Sequence, residues 1–215
     1  MTSGLSKLLT AAARGSFPPA DGSVTVLPAP SPRDAGVVSF TAHAVVFADV
    51  PAAWVHKRIP PGDLAAPLNP PFLSALGARL GREVNNIDLL TVAEALPGPP
   101  PLALTRSTDR DHPRTARALR HRDAVRAWTT ADGGTVVLGR GVAGRRELAV
   151  EVDDDAQGRG LGRELARSAR HLVPAGELLW AQVAPGNARS VRALLAAGFR
   201  PVGAEALLVP PGERG

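Results

Sequence analysis

The sequence predicts an α+β protein whose chemistry lies in the second half of the chain. Three observations carry that prediction. Residues 147–152 alternate, with Leu148, Val150 and Val152 on one face and Glu147, Ala149 and Glu151 on the other, as a half-buried strand requires. Asp132-Gly133-Gly134 is a hairpin turn between two strand-forming runs. Asn187, preceded by Pro185-Gly186, opens a helical pattern that carries Val191, Leu194 and Leu195 on one face and stops at Gly198.

Bulk composition narrows the function classes. The 215 residues are 44% hydrophobic and 21% charged, the balance of a globular chain rather than a disordered one. No run approaches the ~18 apolar residues of a membrane span. The absence of cysteine excludes disulfides, thiolate ligands and a cysteine nucleophile, and suits a cytoplasmic protein. Five scattered histidines show no metal-ligand spacing, so no metal is expected. The formal charge is +5, with a pI near 11.0. Lys7 and Lys57 are the only lysines, and the arginines are interleaved with acids rather than blocked. That pattern argues against nucleic acid as a partner.

The elements follow in order. Residues 1–22 read as a frayed or loosely docked terminus, too broken in apolar character for a secretory signal. Residues 37–50 are β-branched enough for a strand, although their first part would also suit a helix, and residues 70–81 form a short helix opened by prolines and closed by Gly81. Residues 87–93 make another strand. Pro97-Gly98-Pro99-Pro100-Pro101 punctuates the chain, placing a boundary between an N-terminal α+β region, 1–100, and a C-terminal domain, 101–215. Beyond it come a strand at 102–106 and a helix from Pro113 to His121 capped by Asp111. A three-strand meander follows over 124–129, 135–139 and 147–152, and a glycine turn leads into a helix over 163–172. Residues 178–183 are an apolar strand, the Asn187 helix follows, and two strands at 199–202 and 205–209 end the chain.

The glycine turn is the most informative segment. A strand, a glycine-rich turn and a helix start make an anion site, because backbone N–H groups and the helix dipole converge there. With no lysine nearby, the turn is not a nucleoside-triphosphate loop, and GxGxG falls one residue short of a dinucleotide fingerprint. Gln157-Gly158-Arg159-Gly160-Leu161-Gly162 instead meets every set position of Q/R-x-x-G-x-G/A. It resembles the pyrophosphate loop of the GNAT superfamily of acetyltransferases. The stretch from Asn187 to Gly198-Phe199 is similar to the family's second signature, N-x-x-S/A ending in GF. The resemblance covers residues 102–209, about half the chain.

The resemblance implies a mixed, mostly antiparallel central sheet flanked by helices, and acetyl-CoA as cosubstrate. It implies that Gln157, Gly158, Arg159, Gly160, Leu161 and Gly162 hold the pyrophosphate. The pantetheine arm would lie along Val150 and Val152, in a splay between that strand and the 178–183 strand, with Asn187 and Ser190 on the pantetheine side. The implied reaction is acyl transfer to the amine of a small molecule or protein, with a general base to take the proton. Two features depart from the family. The position of its usual acidic tyrosine is Leu194, in a chain with no tyrosine, and a base position on the next strand is Gln182. Glu151 and Glu147 are the candidate bases, and the register decides between neither. A catalytically silent acyl-CoA-binding sensor of the same fold is the alternative.

Three further expectations complete the reading. Seven arginines between Arg106 and Arg126 form either a solvated face or an attractor for an acidic acceptor. The family's helix pair here is reduced to one, so the N-terminal half or a second subunit of a homodimer could complete the acceptor wall. Neither signature occurs in residues 1–100, whose α+β pattern would also suit a degenerate second copy of the fold. Asp153, Asp154 and Asp155 are expected to point away from the phosphates, with Asp155 capping the turn or pairing with Arg159.

Overall fold

The computed structural model describes residues 3–213. The chain forms two compact units: Met1–Leu90 with Val202–Gly215, and Thr91–Pro201. The expected α+β class is borne out. Val24–Leu27 pairs in parallel with His43–Phe47, and Arg146–Val152 with Leu178–Val183. Gly36–Phe40 pairs antiparallel with Arg200–Val209 and His43–Phe47, Asp123–Thr130 with Thr105–Ser107 and Gly134–Arg140, and Gly134–Arg140 with Arg146–Val152.

The first unit contains helices α1 (Gly4–Ala13), α2 (Ala52–His56) and α3 (Pro70–Leu80). Its strands are β1 (Val24–Leu27), β2 (Gly36–Phe40) and β3 (His43–Phe47), with most of β4 (Glu83–Glu94) and β10 (Arg200–Val209). β1 runs parallel to β3, β3 antiparallel to β2, and β2 antiparallel to β10. The core gathers Val37 and Val46 from the sheet, Phe72 and Leu76 from α3, and Ala206 and Leu208 from β10.

Three expectations are corrected in this unit. The terminus is not frayed: Ser3 accepts a hydrogen bond from Ser6 N–H at 3.2 Å, and Leu5, Leu9 and Ala12 are buried at helical spacing; Met1 and Thr2 lie outside the described residues. The single strand over 37–50 is a hairpin, β2 and β3, whose turn uses Ala42 at φ 52° where a glycine would announce it. The two C-terminal strands are one, β10, because Gly203 does not break it. A Cβ there would strike the Ser39 carbonyl, so this glycine permits close strand approach.

The second unit holds β5 (Thr105–Ser107), α4 (Pro113–His121), β6 (Asp123–Thr130), β7 (Gly134–Arg140) and β8 (Arg146–Val152). Then come α5 (Leu161–His171), β9 (Leu178–Val183) and α6 (Ala188–Ala196). β5 to β8 are an antiparallel meander, and β9 joins β8 in parallel. Thr91 at the end of β4 donates its hydroxyl to the Ala181 carbonyl at 2.9 Å. The expected strand at 102–106 is β5, shifted toward its C-terminal end. The cap of α4 is His112 rather than Asp111: His112 Nδ1 accepts from Arg114 N–H at 3.2 Å, while Asp111 N–H donates to Asp109.

Strand alternation places two chemistries on opposite faces of β8. Ala149 packs with the Ala118, Ala127 and Val137 cluster on the α4 side, as Glu147 and Glu151 reach arginines of the α4 segment. Val152 lies on the α5 side, where a Cβ on Gly162 would meet it at 3.6 Å.

Candidate functional site

The site begins where the β8–β9 ladder stops. Arg146 pairs with Leu179, Glu147 with Trp180 and Leu148 with Ala181, and there the parallel pairing ends. β8 continues to Val152 and β9 to Val183, so residues 149–152 have no partner in β9 among the described residues. Their other edge remains on β7, through Ala149–Val137, Val150–Val136, Glu151–Thr135 and Val152–Gly134. On that released edge Val150 and Val152 are half-buried, and a strand tied on one side only can take an extended ligand as an added strand.

The glycine turn lies between the end of β8 and the start of α5. Gly158 (φ 79°) and Gly160 (φ 87°) take left-handed backbone, and Gly160 is the N-cap of α5. A Cβ at Gly158 would meet nothing within 4 Å, so the loop surface is open for a ligand to approach. The N–H groups of Leu161 and Gly162 open α5 at the positive end of the helix dipole, and Arg163 N–H donates back to the Gly160 carbonyl at 3.0 Å.

The two signature segments are joined by hydrogen bonds. Gln157 Nε2 donates to Asp154 Oδ1 at 2.8 Å, and its Oε1 accepts from Arg189 Nη1 at 2.5 Å. Arg189 lies in the first turn of α6, which Asn187 caps by accepting from Ser190 N–H at 3.0 Å. The cap role expected for Asn187 is therefore made. Of the three acids, Asp154 engages its carboxylate, and Asp153 and Asp155 make backbone hydrogen bonds. Asp153 N–H donates to the Gly133 carbonyl at 2.9 Å, and the Arg159 guanidinium donates to the Asp155 backbone carbonyl, not to its carboxylate.

The two candidate bases stand in different surroundings. Glu151 is half-buried, and its Oε2 accepts from Arg114 Nε at 2.8 Å. Glu147 is 3% exposed and has its oxygens occupied. Oε2 accepts from Arg122 Nε at 2.8 Å, and Oε1 from Arg145 Nε at 2.7 Å, Val142 N–H at 3.2 Å and Gln182 Nε2 at 3.5 Å. Burial pushes this carboxyl up, but the charges of Arg145 and Arg122, with hydrogen bonds from Arg145 and Val142, outweigh burial and hold it below its ordinary value. Glu147 is thus a structural anion.

Sequence reasoning missed what holds Glu147. A Cβ at Gly139 would come within 2.9 Å of the Arg122 side chain, and one at Gly141 would strike the Glu147 carboxylate. The two glycines therefore make the room in which Arg122 crosses β7 to reach β8. The spacing Gly139-x-Gly141 just before Arg145-Arg146-Glu147 was the available signal. Leu194, where the family's acid would stand, is buried at 8% exposure. Among the described residues no three His, Asp or Glu side chains gather to hold a metal, and no helix is long and apolar enough to cross a membrane.

Comparison with known proteins meets the site at the same elements. Residues 147–207 match the model of the FR47-like protein family, from β8 through the glycine turn and α6 into β10. No curated protein matches the sequence. Among solved structures the chain is similar to a GNAT-family protein from Novosphingobium aromaticivorans, at 21% identity and TM-score 0.42, covering 60% of this chain and 67% of that one. It is also similar to GCN5-related N-acetyltransferases from Kribbella flavida (16% identity, TM-score 0.42, 65% and 64% covered) and Sphaerobacter thermophilus (15%, 0.37, 64% and 55%). The chain thus spans about two thirds or less of each. The family match bears out the GNAT resemblance read from the two signatures.

Proposed function

With GNAT kinship as premise, we propose that this protein transfers an acetyl or other acyl group from acetyl-CoA to an amine. The observation that carries the proposal is the end of the β8–β9 ladder at Leu148–Ala181, directly upstream of a glycine-opened helix N-terminus. Residues 157–162 would take the pyrophosphate through backbone N–H groups. Residues 149–152 would receive the pantetheine arm as an added strand, with Val150 and Val152 lining it and Asn187 and Ser190 on its far side. The two glycines at left-handed φ and the bare loop surface fit that ligand.

In the reaction the amine nitrogen attacks the thioester carbonyl carbon. The C–N bond forms, the C–S bond breaks, and the amine's surplus proton passes to a base, directly or through water. Of the two candidates the reading favours Glu151, because the Glu147 carboxylate is committed to two guanidinium groups. Leu194 holds no proton for the leaving thiolate, so water protonates it. The setting proposed is the cytoplasm, as suits a chain without cysteine.

The rival, a silent acyl-CoA sensor, draws on Leu194 and Gln182. Release of CoA thiol across a panel of amines separates the two. Enzyme activity predicts amine-dependent release above the water background, and its loss by about a hundredfold in Glu151→Gln. Acetyl-CoA binding with no amine-dependent release would leave only the sensor.

A further inference from the structure

A buried histidine in the first unit has no part in the CoA site. His43 opens β3, a strand buried at every position, and its side chain is 6% exposed. Both ring nitrogens are engaged. Nδ1 lies 3.2 Å from Asp21 Oδ1 and 3.2 Å from Ser23 Oγ, and Nε2 lies 3.0 Å from Thr25 Oγ1. The carboxylate decides which nitrogen carries the proton. Asp21 is held down to about 2, first by the Ser23 hydroxyl, then by Ser23 N–H and by His43, so it stays ionised and only accepts. Its partner Nδ1 is therefore the protonated nitrogen, and Nε2 of the neutral ring keeps a lone pair. The Thr25 hydroxyl then donates to Nε2.

Carboxylate, imidazole and hydroxyl thus stand in the order that draws a proton from a hydroxyl: the acid orients the ring and stabilises its cation, and the ring takes the proton. A histidine that merely fills a core position needs a neutral partner on each nitrogen. Here the Nδ1 partner is an anion, itself fixed by Ser23 N–H at 2.9 Å. The cluster also reaches solvent. The Asp21 side chain is 46% exposed, and Thr25 is half-buried on β1, the terminal strand of its sheet.

We propose that Asp21, His43 and Thr25 form a second reactive site, in which Thr25 Oγ1 accepts an acyl group from small activated esters. Oγ1 attacks the ester carbonyl carbon as His43 Nε2 takes its proton. The new C–O bond forms, the bond to the leaving alcohol breaks, and the alcohol departs with the proton from Nε2. Ser23 is a positioning residue, holding Asp21 against Nδ1.

The test treats the full chain with a fluorophosphonate, which replaces the ester and leaves a stable adduct as fluoride departs, and locates that adduct by peptide mass spectrometry. The proposal expects one phosphonyl group, on Thr25. Its rate of attachment falls at least about a hundredfold in His43→Gln and at least about tenfold in Asp21→Asn. Thr25→Ser keeps the reaction and Thr25→Val takes no label. An unlabelled Thr25, an adduct on Ser23 in its place, or equal rates in wild type and Asp21→Asn would overturn the proposal. Should His43→Gln not fold, Asp21→Asn at its exposed position decides. CoA plays no part in this measurement, so its failure leaves the acyltransferase reading standing.

Discussion

At the scale of single residues, Glu147 and Glu151 show why two carboxylates on one strand face do different work. Glu147 is enclosed by Arg122, Arg145, Val142 N–H and Gln182, and Glu151 meets Arg114 beside solvent. Replacing Glu147 with Gln leaves two guanidinium groups facing a neutral amide, which costs about 3 kcal/mol of stability near neutral pH. The depressed carboxyl stabilises the fold fully above its ordinary value of 4.5, and that contribution is lost as pH falls through the lower folded value. The difference between wild type and Glu147→Gln in urea unfolding should therefore shrink steadily below pH 4.5; an equal difference at pH 7 and pH 3 would contradict the assignment. Residue identity on the strand face was legible in the alternation. Which carboxylate was enclosed was not, because its partners arrive from the end of α4 and from the β7–β8 turn, 25 and 2 residues away.

At the scale of elements, the glycine turn was readable because its chemistry is local: backbone N–H groups, left-handed glycines and a helix start need no distant partner. Helix caps were readable for the same reason, and Asn187 is one. Asp111 failed as a cap because Asp109, two residues earlier, turns the chain and hands the cap to His112. The hairpin of β2 and β3 escaped because its turn residue is Ala42 rather than glycine. Around the turn, Asp154 matters as an acceptor for Gln157, an office that asparagine also fills. Changing Asp153, Asp154 and Asp155 together to Asn should leave the acetyl-CoA dissociation constant within about threefold, since the removed charges lie at the exposed strand-side of the loop and are screened by solvent. A tenfold gain in affinity would mean that these acids repel the phosphates after all.

At the scale of the whole molecule, the chain's first and last segments build one unit. β10 pairs with β2 through Ala204–Ser39, Glu205–Val38, Ala206–Val37 and Leu207–Gly36, and buries Ala206 and Leu208 in that unit's core. Linear punctuation at Pro97-Gly98-Pro99-Pro100-Pro101 could not disclose this, because strand pairing across some 160 residues leaves no local mark. Ending the chain at Pro201 removes most of the strand and the fully buried side chains of Glu205, Ala206 and Leu208, so the N-terminal unit should lose cooperative unfolding and become open to proteolysis within residues 24–80. Retained protease resistance there would show that β10 is dispensable. The central claim, that the released edge of β8 and the glycine turn form a CoA site, has its most direct test in titration calorimetry with acetyl-CoA. Wild-type protein should bind one equivalent, and Gly160→Val, which fills the loop surface and strains a left-handed position by about 1–2 kcal/mol, should remain folded and bind none; wild-type protein without detectable binding, or a valine variant that binds as tightly, would contradict the account.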